Sequence, residues 1–160
     1  MESNLQRHYD WKQEGLTYTF VTKDNIVYRA YFVDISAYYS QFPDTYSFSL
    51  EPEIPKNHPV DLRIATTVVE ILSRFFQKEE NAMIMVCDSL DGKEEKRRKL
   101  FDRWFNKNND GSLLKYDASA SLEDYRLFIS IYLKKTNPNK DLLLRSFFEL
   151  IKTDLYQIGF

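Results

Sequence analysis

Cysteine, glycine and histidine are scarce in this chain of 160 residues, which holds one, four and two of them respectively. A lone cysteine cannot form an internal disulfide, so a scaffold held by internal disulfides is excluded. The four glycines form neither a Walker-type phosphate loop nor a glycine-rich dinucleotide loop. His8 and His58 stand beside no pattern that would make a catalytic triad or a metal site. The sequence therefore lacks the motifs of common nucleotide-binding and nucleophilic enzymes.

Long apolar runs are also missing. No segment approaches the ~18 consecutive apolar residues of a transmembrane helix. Residues 1–8 do not follow the basic-then-apolar order of a secretion signal. Together with the single cysteine, these features predict a cytoplasmic protein that does not act at a membrane.

The charges are close to balanced. The formal net charge is −2, and the isoelectric point is near 5.7. A globally basic nucleic-acid-binding protein is thereby excluded, although a local basic patch is not.

Aromatic residues, by contrast, are abundant, at 16% of the chain with 12 phenylalanines and 11 tyrosines. Tyrosine has an apolar ring and a polar hydroxyl, so it suits either the margin of a core or an exposed binding surface. We expect most of the tyrosines at the core margin, with a binding surface as the alternative.

The pattern of apolar residues predicts the element order βββ-α-β-α-ββ-α. Alternation indicates most of the strands, and three- and four-residue spacing indicates the helices. The predicted strands cover residues 16–20, 26–35, 46–50, 82–87, 113–118 and 125–133. The predicted helices cover residues 59–77 and 92–106, and a last helix begins at Pro138, after Asn137, and includes Leu155. We expect Asn57 or His58 to cap the first helix.

This order predicts an α+β protein with a single mixed, mostly antiparallel sheet and about three helices packed mainly on one face. Residues 82–87 are almost continuously apolar, which is typical of an interior strand buried on both faces. Residues 1–15 are polar and lack periodicity, so we expect an irregular N-terminal arm with Tyr9 and Trp11 as anchors. Without a repeat or a linker, residues 1–160 are predicted to form a single domain.

The turn after the fourth predicted strand is the first candidate site. It contains Asp88, Ser89, Asp91 and Lys93 and opens onto a helix N-terminus, where backbone N–H groups favour anions. The two aspartates suit a metal ion that bridges to a phosphate better than they suit a bare anion. The structural alternative, which we favour, is that Asp91 and Glu94 form an acidic variant of a capping box.

The second predicted helix carries a basic stripe. At about 100° per residue, Lys96, Lys99, Arg103 and Lys107 fall on one side of it. Such a flank is most often a solvated face. Otherwise it is a contact for an acidic partner or for nucleic acid.

Arg97 differs from these cations because it falls in the middle of the helix's apolar arc. That arc consists of Leu100, Phe101, Trp104 and Phe105. A buried guanidinium needs a partner, so Arg97 is expected to pair with Asp88 or Asp91, to stack along Trp104, or to bind a ligand. We favour the structural ion pair.

Three segments in the central third of the chain carry a resemblance. They are residues 65–72 (Ala-Thr-Thr-Val-Val-Glu-Ile-Leu), 86–89 (Val-Cys-Asp-Ser) and 97–105 (Arg-Arg-Lys-Leu-Phe-Asp-Arg-Trp-Phe). They resemble a group of small uncharacterised proteins of Bacteroidota known only as a domain of unknown function. The resemblance implies a bacterial protein, and it assigns neither an activity nor a cofactor.

The absence of a catalytic constellation predicts a non-enzymatic protein-interaction module, such as an accessory, antitoxin-like or immunity-like protein, which needs no cofactor and binds another protein. One alternative is a metal-dependent phosphoryl or phosphodiester enzyme that uses Asp88 and Asp91 to hold Mg²⁺. A second alternative is a nucleic-acid contact through residues 93–107, which we do not favour. The sequence carries no signal for an oligomeric state.

Overall fold

The computed structural model describes residues 7–54, 61–88, 94–121 and 126–152. These residues form seven strands and three helices. The strands are β1 (Trp11–Glu14), β2 (Thr17–Val21), β3 (Val27–Asp34), β4 (Thr45–Pro52), β5 (Ala82–Asp88), β6 (Leu113–Ser121) and β7 (Arg126–Lys134). The helices are α1 (Leu62–Phe75), α2 (Glu94–Asn108) and α3 (Lys140–Lys152). None of the described helices is long and apolar enough to cross a bilayer.

The seven strands belong to one mixed sheet in the order β1-β2-β3-β4-β5-β7-β6. β4 and β5 pair in parallel, whereas β1 with β2, β2 with β3, β5 with β7 and β6 with β7 pair antiparallel. The predicted α+β class, with a mostly antiparallel mixed sheet and three helices, is confirmed. β1 is an additional strand at the start of the predicted order.

The N-terminal segment is more regular than the predicted irregular arm. Trp11 pairs with Phe20 and Glu14 pairs with Thr17, so β1 and β2 form a hairpin. Gly15, between these strands, has a φ of 59°, which glycine adopts without steric cost. The prediction missed β1 because three of its four residues are polar and exposed, and they leave no apolar alternation to recognise.

The starts of α1 and α3 also differ from the predicted ones. Asp61, rather than Asn57 or His58, caps α1, and its carboxylate accepts a hydrogen bond from the Arg63 backbone N–H. Asn137 instead organises a turn before α3, where its side-chain oxygen accepts from the Asn139 N–H at 2.8 Å. Residues 55–60 lie outside the described part of the chain.

The described chain forms two compact units. The first unit comprises the residues up to Val33 together with Phe48–Gln77. The second unit comprises Asp34–Ser47 and the residues from Lys78 onward. The prediction of a single domain over residues 1–160 stays a prediction.

Aromatic rings fill the core of the first unit. The Phe32 ring stacks on Phe75 of α1 at 4.4 Å between centroids and also contacts Phe48 and Tyr18. The Phe20 ring stacks against the ring of Tyr9, which lies two residues before β1, and against the ring of Tyr28 on β3. Most of the described tyrosines in the chain are half-buried, so their rings pack at core margins, as expected.

α3 covers one face of the sheet in the second unit. Ile129, Ile131 and Leu133 alternate along β7 and join a buried cluster with α3. The members that α3 contributes to this cluster are Leu143, Phe147 and Leu150. Because neighbouring residues of a strand point to opposite faces, the residues between them on β7 must face the other side.

α2 covers that other face. Tyr132 of β7 contacts the Phe105 ring of α2 at 5.7 Å between centroids. β5 and β7 are therefore enclosed between α2 and α3, and residues Ala82–Met85 are buried. The interior position predicted for residues 82–87 agrees with this. In the second unit, α2 and α3 therefore lie on opposite faces of the sheet.

We expect Ile131→Ala to lower the free energy of unfolding by about 3 kcal/mol, since it removes methylene groups from a fully buried site beneath α3 and leaves a cavity. Urea denaturation measures this loss. Leu142→Ala, on the same unit but 39% exposed, is the matched control and should cost under about 1 kcal/mol. Equal losses for the two variants would contradict the described packing.

Candidate functional site

The predicted turn site falls largely outside the described residues. Ser89, Asp91 and Lys93 are not described, Asp88 is the last residue of β5, and Arg97 belongs to α2. The structure describes neither the Asp88 nor the Arg97 side chain, so the ion pair, the anion site and the metal site stay predictions. Within the described ranges, no group of three or more histidine, cysteine, aspartate or glutamate side chains could hold a metal ion.

The inner side of α2 is anchored by aromatic residues. Phe101 and Trp104 are 9% and 8% exposed, and their rings meet edge to face at 4.6 Å between centroids. Both belong to the apolar arc that the sequence predicts. Their burial sets the rotation of α2 about its own axis.

A charged network holds the same helix to the sheet. Lys115 of β6 is only 10% exposed in its side chain and forms ion pairs with Asp102 of α2 and with Asp117 of its own strand. The Lys115 Nζ to Asp117 Oδ1 distance is 2.8 Å. The Ser130 hydroxyl donates to that same Asp117 oxygen at 2.5 Å, and the Tyr132 ring lies 5.8 Å from the Lys115 ammonium.

The balance of forces on Lys115 favours its charged form. Burial by itself lowers the pKa of Lys115, but the hydrogen bonds to Asp102 and Asp117 outweigh it, so the pKa is raised above its usual range. Lys115 is therefore a cation at neutral pH and not a candidate nucleophile.

The sequence contained a signal for this network. Lys115 and Asp117 alternate in β6 with Leu114, Tyr116 and Ala118, which pack toward the buried cluster on the α3 face. Two opposite charges on the same face of a strand, under a predicted helix, indicate an internal ion pair. The identity of the helix partner, Asp102, could not be read from the sequence because it depends on how α2 lies across the strands.

The outer side of α2 is basic. Lys99, Arg103 and Lys107 are exposed, and Lys96 follows the same helical spacing, although its side chain is not described. We call these four residues the basic contact face. They occupy an arc of about 80° and extend about 16 Å along the helix. The structure thus brings together three of the four predicted cations on one exposed surface.

A second cluster was not anticipated from the sequence. A cavity of about 250 Å³ in the first unit is lined by Arg7, His8, Asp10 and Arg63. Three of these residues lie in the segment expected to be an irregular arm, and the fourth comes from the first turn of α1. Only the docking of residues 7–10 against α1 reveals the cluster.

The chain belongs to a family of unknown function, DUF6169, whose model matches residues 60–149. The match covers more than half of the chain and includes all three segments on which the resemblance was based. No curated protein matches the sequence. The family assignment agrees with the predicted domain of unknown function.

A double-mutant cycle should reveal coupling between Lys115 and Asp102. We expect Lys115→Met and Asp102→Asn to be non-additive by about 1–2 kcal/mol in the free energy of unfolding, because each single change already removes the attraction between these two partly buried charges. In Asp102→Asn, Lys115 keeps its second ion pair with Asp117. Denaturant titrations of the parent, both single variants and the double variant measure the coupling.

The control cycle uses Arg29→Met and Glu51→Gln. That pair is 3.8 Å apart, and its side chains are 47% and 50% exposed, so its coupling should stay below about 0.5 kcal/mol. Additive losses at Lys115 and Asp102 would show that the network does not hold α2.

Proposed function

We propose that this protein is a non-enzymatic interaction module of the bacterial cytoplasm that binds an acidic protein partner through the basic contact face. The observation that carries the proposal is the exposure of Lys99, Arg103 and Lys107 on a helix whose opposite side is packed against the sheet. A helix fixed in this way presents its charges at a constant spacing, and a preorganised surface loses less conformational entropy on binding.

The acidic residue in the middle of α2 supports this reading. Asp102 pairs with Lys115, so its charge is compensated on the flank of the helix that meets the sheet. The carboxylate therefore offsets the cations of the basic contact face less than its position in the sequence suggests. A concentrated positive surface favours negatively charged partners and accelerates their association.

An acidic protein is a better match for this surface than a nucleic acid. The net charge of the chain is −2, and a nucleic acid, which carries a negative charge on every phosphate, is repelled more strongly at long range than an acidic protein surface of lower charge density. A patch of about 16 Å is also about the length of three turns of a partner helix. Nucleic-acid binding through the same face is the alternative outcome of the test.

We expect Arg103→Glu plus Lys107→Glu to weaken binding of a fluorescein-labelled peptide rich in glutamate and aspartate by about tenfold, because two attractive contacts become repulsive. Fluorescence anisotropy at low ionic strength measures the affinity. A single-stranded RNA oligonucleotide of equal charge is titrated in parallel.

The control variant is Lys12→Glu plus Lys23→Glu, which changes the net charge equally at exposed lysines of the first unit. It should retain the parent affinity within about twofold. Equal weakening by both variants would leave only a non-specific charge effect. Binding of the RNA without binding of the peptide would replace the proposed partner by a nucleic acid.

A metal-dependent phosphoryl or phosphodiester enzyme is the second candidate. The supporting observation is a short strand-to-helix connection: Asp88 ends the interior strand β5, and α2 begins at Glu94. Asp88 and Asp91 would hold Mg²⁺ there, and Lys93 or Arg97 would contact a phosphate.

Calorimetric titration with Mg²⁺ tests this candidate. If it is right, the parent releases or absorbs heat on binding, and Asp88→Ala plus Asp91→Ala abolishes the signal because both ligands are lost. Asp24→Ala plus Asp141→Ala removes two exposed carboxylates elsewhere and should leave the signal intact. A parent protein that gives no heat of binding eliminates the enzyme candidate.

A further inference from the structure

The described residues that line the cavity in the first unit all have polar, titratable or charged ends. Its volume is about 250 Å³, and the described residues in its lining are Arg7, His8, Asp10 and Arg63. Among these four residues, two guanidinium groups and one carboxylate give an excess of one positive charge when His8 is neutral. A cavity of this size and polarity suits part of a small charged ligand rather than an apolar one.

Arg63 is held in place by two contacts. Its Nε donates to the Arg7 backbone carbonyl at 2.9 Å, and its guanidinium carbon lies 3.9 Å from the centroid of the Tyr9 ring. The first contact uses one of five N–H donors, and the second orients the plane of the group. The terminal nitrogens keep the fork geometry that binds phosphate or carboxylate with two parallel hydrogen bonds.

Tyr9, which supports Arg63, is itself fixed on both sides. Its hydroxyl donates to Asp61 Oδ2 at 2.5 Å and accepts from the Lys23 backbone N–H at 3.1 Å. Its backbone N–H donates to the Thr67 hydroxyl at 2.8 Å. Burial, and then the hydrogen bond to Asp61, raise the pKa of Tyr9 above its usual range, so the hydroxyl keeps the proton that it donates. The support for Arg63 therefore persists at neutral pH.

His8 is also oriented. Its Nδ1 lies 2.9 Å from the Tyr9 carbonyl oxygen, and because a carbonyl can only accept, Nδ1 carries the proton. The Trp11 ring lies 5.0 Å from the His8 ring.

Across the described residues, the Arg7 guanidinium and the Asp10 carboxylate form no ion pair with each other or with a neighbour. Within the described part of the chain, no ion pair therefore competes with a ligand for these two groups.

We propose that Arg7 and Arg63 bind the oxyanion group of a small ligand, a phosphate or a carboxylate, and that Asp10 accepts a hydrogen bond from a hydroxyl or ammonium group of the same ligand. Arg63 supplies a preorganised fork, and Arg7 closes the site from the exposed side. Asp10 selects against a bare anion and in favour of a ligand that also carries a donor. This site lies in the first unit and shares no residue with the basic contact face in the second.

Nitrogen-15 NMR titration with inorganic phosphate and with acetate, at constant ionic strength, tests the site. Trp11 serves as the reporter because its ring contacts His8, and Trp104 in the second unit is an internal reference in the same spectrum. We expect the Trp11 indole N–H signal to shift with a dissociation constant of about 1 mM or above, and the Trp104 signal to stay in place. A tighter response to phosphate or to acetate distinguishes the two sources of the oxyanion.

Variants separate a binding role from a structural one. Arg7→Gln and Arg63→Lys should each weaken binding about three- to tenfold, whereas Asp10→Asn should strengthen binding of these simple anions about threefold because it removes a repulsive charge. Lys12→Gln removes an exposed cation outside the cavity lining and should change the affinity by less than about twofold. Arg7→Gln is the primary variant because the Arg7 side chain is exposed, and the fold should tolerate its loss.

Two results would overturn the proposal. One is a Trp11 signal that does not move with either anion. The other is an affinity that Arg7→Gln and Arg63→Lys leave unchanged in variants whose spectra match the folded parent.

Discussion

The burial of β5 and β7 on both faces is the constraint on which the second unit depends. These strands carry apolar residues on successive positions, so a single covering layer would leave half of them in water. Two helices of different character meet this requirement. α3 supplies an aliphatic and aromatic face to Ile129, Ile131 and Leu133, whereas α2 approaches the opposite face with Phe101, Trp104 and Phe105.

The two helices differ in how much burial alone can stabilise them. α2 is rich in charged residues and leaves Lys99, Arg103 and Lys107 in solvent, so its apolar contact is narrow. The ion pair between Lys115 and Asp102 adds a directional contact at the margin of that face. The apolar contact and the ion pair together fix the helix at the sheet, while the side chains of Lys99, Arg103 and Lys107 remain exposed to a partner.

Much of the fold could be predicted from the sequence because its elements follow regular periods. The apolar run at residues 82–87 predicted an interior strand, and the apolar arc on residues 100–105 predicted the buried side of α2. β1 could not be found in this way, because Lys12, Gln13 and Glu14 are exposed and the strand is specified by the turn at Gly15 and by pairing with β2. Local patterns report burial, and a polar strand has little of it.

The candidate site residues likewise fall into a group that the sequence pattern predicts and a group that it does not. The exposed cations of α2 follow from helical spacing, so they could be grouped before the structure was known. The cavity residues Arg7, His8 and Asp10 meet Arg63 only because Tyr9 docks onto Thr67 and Asp61, more than 50 positions away. Contacts between such distant positions depend on tertiary packing, and spacing along the chain does not encode them.

The shortness and polarity of β1 have a consequence for the behaviour of the protein in concentrated solution. A strand at the edge of a sheet presents unpaired backbone groups, on which a strand from another molecule can add. β1 offers only four residues, with Lys12, Gln13 and Glu14 exposed. Edge-to-edge pairing of two such sheets would bring these hydrated side chains together, and the small apolar area buried would not offset the cost of removing their water. The polar strand β1 therefore protects this edge of the sheet against aggregation.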